Sequence, residues 1–181
     1  NDAMSLSTDF RYFRTLDEGK QLAGNIDNHH GNLVFGVSQN NHKLSAGYIH
    51  TSGDTAMPYL SSGETATYMD SWATDFLNKN EKAYTIRYDY NFKNYIPGLR
   101  AMTRYTYGQD INLDHIAGLE NKELHEKELG FDLMYQVQTG VFKGLNFRGR
   151  YANYDNNHGV KPTFKSANET RFNIDYTWKF K

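Results

Sequence analysis

Eight stretches of this chain alternate, residue by residue, between apolar and polar side chains, and no other feature limits its fold so tightly. Successive side chains of an extended strand point to opposite faces, so a period of two marks a strand with one apolar and one polar face. The clearest stretch is 82–92, where Tyr84, Ile86, Tyr88, Tyr90 and Phe92 oppose Thr85, Arg87, Asp89 and Asn91. The pattern recurs over 4–14 (Leu6, Phe10, Tyr12), 32–39 (Leu33, Phe35, Val37), 42–51 (Leu44, Ala46, Tyr48) and 99–108 (Leu99, Ala101, Tyr105, Tyr107). It continues over 128–138 (Leu129, Phe131, Leu133, Tyr135), 145–154 (Leu145, Phe147, Tyr151) and 170–180 (Phe172, Ile174, Tyr176, Trp178, Phe180). This predicts an all-β, antiparallel, up-and-down sheet within one domain spanning 1–181.

The connections carry separate information. Long ones (15–31, 52–81, 109–127, 155–169) alternate without exception with short ones: Asn40-Asn41, a turn around Tyr95-Ile96-Pro97-Gly98, and 139–144. Asn tolerates positive φ, which suits the tight Asn40-Asn41 hairpin. Transmembrane β-barrels of bacterial outer membranes have this asymmetry, with short periplasmic turns and longer extracellular loops. A soluble sandwich has no reason to gather its long loops at one end.

Composition decides between a membrane barrel and a soluble one. Mean hydropathy is -0.78, and no apolar run reaches the about 20 residues of a transmembrane helix. A barrel wall needs only alternate residues to face lipid, so low hydropathy is compatible with it. The 14 Tyr and 11 Phe suit a lipid-facing surface with aromatic girdles. The alternative is a soluble lipocalin-like barrel with its apolar face inside. Eight strands leave room for only modest interior side chains, and so many Tyr would crowd them. With 20 basic and 21 acidic residues there is no basic excess to support nucleic-acid binding. Cysteine is absent, which excludes disulfides and Cys-based metal sites. No leader is visible ahead of Asn1, so one has been removed or the chain starts within a longer protein.

Two features suggest function. The polar face carries Arg87, Arg100, Arg104, Arg148, Arg150 and Arg171 on the last five stretches. In a lumen, such guanidinium groups would offer successive bidentate partners to carboxylates. The competing reading is that they pair across strands with Asp89, Asp132, Asp175 and Glu128. Arg148, Arg150 and Arg171 fit the lumen reading better, whereas Arg100, beside a turn, fits the pairing one. The second feature is the connection 52–81, which holds Met57, Tyr59, Leu60, Trp72 and Phe76 beside Glu64, Asp70 and Asp75. Loops of this length without structure are uncommon unless functional. Folded inward it would narrow a pore and set acids against the arginines; otherwise it is a surface loop packed on its neighbours. No cofactor or metal is expected. His29-His30, His115 and His125 lack metal-site spacing, Ser5 and Ser7 have no His placed near them, and Gly19, Gly24 and Gly31 lack a strand-to-helix context.

Several motifs, in order, resemble the OprD-type outer-membrane porins. They include Asp9-Phe10, Tyr12-Phe13-Arg14-Thr15, Asp17-Glu18-Gly19-Lys20, Arg87-Tyr88-Asp89 and Ile96-Pro97-Gly98-Leu99. Gly108-Gln109-Asp110-Ile111, Phe147-Arg148-Gly149-Arg150 and Asn168-Glu169-Thr170-Arg171-Phe172 complete the set. The resemblance implies an 18-stranded monomeric barrel in the outer membrane of a Gram-negative bacterium, of which these eight strands form the C-terminal part. It implies a non-enzymatic channel for passive, selective diffusion of small anionic or zwitterionic carboxylate-bearing solutes, such as amino acids or aromatic acids. Outer-membrane lipid and the remaining N-terminal part of the same polypeptide are the implied partners. Arg148, Arg150 and Arg171 match ladder positions on the lumen wall, with Arg87 and Arg104 as supporting arginines. Asp75 matches an acid of a constriction loop folded toward the pore, and Glu64 does so more loosely. Ala73 departs from the family pattern, which has Tyr there. The competing whole-chain reading is a complete, small eight-stranded barrel acting as an adhesin or membrane enzyme.

Overall fold

The computed structural model describes residues 3–20, 24–58, 71–160 and 166–178. Within them the chain forms eight strands: β1 (Ser5–Leu16), β2 (Asp27–Gln39), β3 (His42–Gly53), β4 (Lys82–Asn91), β5 (Leu99–Gln109), β6 (Glu126–Gln136), β7 (Asn146–Asn156) and β8 (Ser166–Asp175). They pair antiparallel in sequence order as one sheet. The sheet is open, since β1 and β8 do not meet. A complete eight-stranded barrel would have to pair those two edges.

The two faces have opposite environments. Leu6, Phe10, Phe35, Leu44, Ile86, Phe131 and Phe172 are all exposed, with Leu6 at 73% and Phe172 at 68%. Ser45, Thr85, Arg104, Thr106, Glu128 and Asp132, on the other face, are buried. A water-soluble sheet buries its apolar face and wets its polar one. The reversal here is what a lipid-facing wall requires. Aromatic rings cluster along the apolar face: Tyr48 packs on Tyr84 toward the long-loop end, and His42 on Tyr90 toward the turn end.

Two strand limits differ most from the sequence expectation, by five residues each. β2 begins at Asp27, five residues before the alternation does, because its ladder to β1 continues through Arg14↔His29 and Leu16↔Asp27. The outward side chains there are polar, and a strand that has left the greasy band needs no apolar period. β8 ends at Asp175 rather than Phe180, because its partner strand starts at Asn146, opposite Asp175. Phe180 lies outside the described residues.

Candidate functional site

The polar face divides along its length. Toward the long-loop end, the last part of the β3–β4 connection lies on the sheet. Thr51 N donates to Glu81 O at 2.9 Å, which ties this segment to β3, and Met57 N to Leu77 O at 3.0 Å, which ties it to the start of the connection. Phe76, fully buried, packs with Ile49 and Ala83 from the neighbouring strands. Gly108 is obligatory beneath it: a Cβ there would come within 2.0 Å of Glu81 Oε1 and 3.0 Å of the Phe76 ring.

Strand β6 supplies two carboxylates to this segment. Glu126 accepts from Thr74 Oγ1 at 3.2 Å, Asn78 Nδ2 at 3.1 Å and Tyr154 Oη at 2.5 Å. His158 Nε2 lies 3.7 Å from it. Val160 N–H donates to His158 Nδ1, which leaves Nε2 to carry the ring proton toward the acid. Glu81, one residue outside β4, accepts from Asn78 N and Nδ2. Burial and the neighbouring Glu126 hold its carboxyl well above the usual carboxylate range. One strand period along β6, Glu128 accepts from the backbone N–H groups of Trp72 (3.0 Å) and Ala73 (2.8 Å).

Toward the turn end the same face opens into a groove of ≈ 860 Å³. Arg87, Arg100, Arg104, Arg148, Arg150 and Arg171 line it, together with Lys43, Asp89, Asp132 and Trp72. Each arginine projects there by strand parity, and two pairs stand directly opposite across strands: Arg87↔Arg104 and Arg150↔Arg171. Like charges in that position destabilise a sheet. Acids interleave with them. Arg87 makes a two-pronged pair with Asp89 (2.6 and 2.8 Å), and Arg171 pairs with Glu169 on its own strand. Asp132 is shared: Arg148 pairs with it closely, and Arg150 Nε stands 3.7 Å away. Arg104 Nη2 is 3.9 Å from Glu128.

Thus all five predicted arginines reach one groove, and each also has an acidic neighbour. The two sequence readings, lumen lining and cross-strand pairing, describe the same residues. Arg100 differs from expectation, since it lines the groove and makes no ion pair among the described residues. Its cross-strand neighbours are Asn91 and Met134, so no acid stands opposite it. Asp75 is half-buried between Thr74 and Phe76 and does not line the groove. Glu64 and Asp70 lie outside the described residues.

Sequence reasoning missed the way Trp72 is held. Its ring lies 5.7 Å from the Arg150 guanidinium, its carbonyl accepts from Arg171 Nη2 at 3.2 Å, and its ring covers Gly130. The signal available was the inner-face run Glu126, Glu128, Gly130, Asp132, in which a glycine interrupts a row of acids.

The model of the family "outer membrane porin, OprD family" matches residues 1–180. Porin D of Pseudomonas aeruginosa is 32% identical over 95% of this chain and 42% of its own length. The crystal structure of Acinetobacter baumannii OccAB3 superposes with a TM-score of 0.91 at 41% identity, over 99% of this chain and 46% of that one. That of Acinetobacter baumannii OccAB2 gives 0.90 at 47% identity, over 100% and 45%. The chain therefore spans somewhat under half the length of these relatives.

Proposed function

This chain belongs to the OprD family of outer-membrane porins, and from that premise we propose that its polar face is one wall of a pore for passive diffusion of small carboxylate-bearing solutes. Its place is the outer membrane of a Gram-negative bacterium. The observation that carries the reading is guanidinium set opposite guanidinium, Arg87↔Arg104 and Arg150↔Arg171, on a face that also forms a groove. Such pairs cost a sheet stability, and the interleaved acids offset that cost while the groove leaves room for a solute anion between them.

In this reading Arg148, Arg150 and Arg171 form the principal track and Arg87 and Arg104 support it. Asp132 and Glu169 temper each charge, so an anion is attracted but not trapped. The local field raises the concentration of anions at the groove. The segment beginning at Ser71 narrows the path; its Asp75, and Glu64 earlier in the same connection, are the candidate acids for orienting a zwitterion. No chemistry is done on the solute. The bare edges of β1 and β8 would be met by further strands, giving the wide, 18-stranded monomeric barrel that the family resemblance implies; amino acids or aromatic acids are the solute classes it suggests.

Liposome swelling tests the reading. Arg148→Ala and Arg150→Ala, made in the polypeptide that carries this chain, should each lower carboxylate uptake several-fold while the protein still folds into detergent-resistant barrels. Parental uptake in both variants would overturn the assignment of the track.

A further inference from the structure

We infer that Glu128 is a positioning residue, a wall carboxylate that clamps Trp72 over Gly130 and thereby fixes the width of the groove and the stance of Arg150 and Arg171. The inference rests on the pore reading above and adds to it the part that holds the arginines in place.

The geometry is built from three adjacent strands. Both oxygens of Glu128, a residue only 1% exposed, accept backbone N–H groups, one from Trp72 and one from Ala73. A carboxylate used in this way grips the loop's main chain, so the grip is independent of loop side chains. Gly130, two residues on and on the same face, is the floor: a Cβ there would lie 3.2 Å from Trp72 Cζ3. From β7, Arg150 lies over the indole, and from β8, Arg171 donates to the Trp72 carbonyl. Trp72 thus touches the wall through its N–H, its carbonyl and its ring at once. Guanidinium groups already held against a rigid aromatic surface have fewer conformations left to lose when an anion binds them. Glu128 is the only one of these contacts made by an anion, and it lies 3.9 Å from Arg104 as well. Releasing it removes two charge-assisted hydrogen bonds from one short stretch of loop.

Glu128→Gln keeps the size of the side chain but leaves only one acceptor oxygen for two donors. In planar bilayers the variant should show roughly twofold larger open-channel current noise, as a loop freed to move on microsecond-to-millisecond timescales would produce. Its conductance should rise, and its reversal potential should shift, because the wall loses an anion and Arg150 and Arg171 lose their footing together. Glu128→Asp, which retains both acceptors, should return noise and reversal potential toward the parent, a rescue that a merely structural role would not give. Should Glu128→Gln fail to fold, Gly130→Ala reports on the same contact, because the added methyl pushes on the indole and leaves the carboxylate intact. Glu128→Gln, or Gly130→Ala in its place, with parental conductance, noise and reversal potential would overturn the inference. A parent channel that is silent, or blind to carboxylates, would overturn the pore reading instead; loss of uptake in Arg148→Ala with an unaltered Glu128→Gln would overturn only the clamp.

Discussion

The two halves of the polar face are made of similar residues and end in different states. Near the long loops, Glu126, Glu81, Tyr154 and Asn78 sit dry and bonded to one another beneath Phe76. Near the turns, Arg87, Arg148 and Arg171 keep about a third or more of their side-chain surface open. Alternation is the same in both halves, so the strands do not decide the difference. The loop does: where 71–81 lies on the sheet, polar groups must satisfy one another, and where it stops, they are left to water and solutes. A polar residue on an inward strand face is therefore ambiguous until the covering segment is known.

The contrast can be broken from its dry side. Phe76→Ala removes the buried ring that the loop presses onto Ile49 and Ala83, and core truncations of this size cost about 3–5 kcal/mol. The loop should lift, making the dry half resemble the wet one; limited proteolysis within 71–81 should become fast while the strands survive. A loop as protected as the parent's would show that the seal lies elsewhere.

A smaller effect should sharpen the comparison at its border. Asp75→Asn removes a half-buried acid next to the seal. If the loop's acids orient zwitterions, uptake of an amino acid should fall about two- to threefold while that of a simple monocarboxylate stays level, a coupling of under 1 kcal/mol. Equal changes for both solutes would remove Asp75 from the path.

The smallest effect should be on pH response. Glu81 has its carboxyl held above the unfolded value, so its contribution to loop seating is complete below the ordinary carboxylate range. It fades as pH rises through the raised value. Channel noise in the parent should grow toward alkaline pH, and Glu81→Gln, permanently neutral, should flatten that trend. A slope of equal size in both proteins would point to another titrating group.

Much of the fold could be read from the chain because a lipid-facing wall repeats one rule. Tyr84, Ile86, Tyr88 and Tyr90 declare their face without reference to any other strand, and the alternation of long and short connections orders the rest. The arginines were legible for the same reason: Arg148 and Arg150 are two residues apart, so they share a face. What escaped were contacts between remote segments. Trp72 and Glu128 are separated by 56 positions, and nothing in either neighbourhood names the other. The sharing of Asp132 by Arg148 and Arg150 depends on register, which the turn lengths alone leave loose. Nearness to a turn says little about Arg100; what matters is that neither Asn91 nor Met134 beside it is an acid.

The unpartnered margins of β1 and β8 bear on how such a wall can be made. Each exposes a row of amides and carbonyls, and hydrocarbon offers no water to satisfy them, at several kcal/mol apiece. This sheet would be unstable if it entered lipid by itself. In hydrocarbon its greasy exterior is stable only with both margins paired to neighbouring strands.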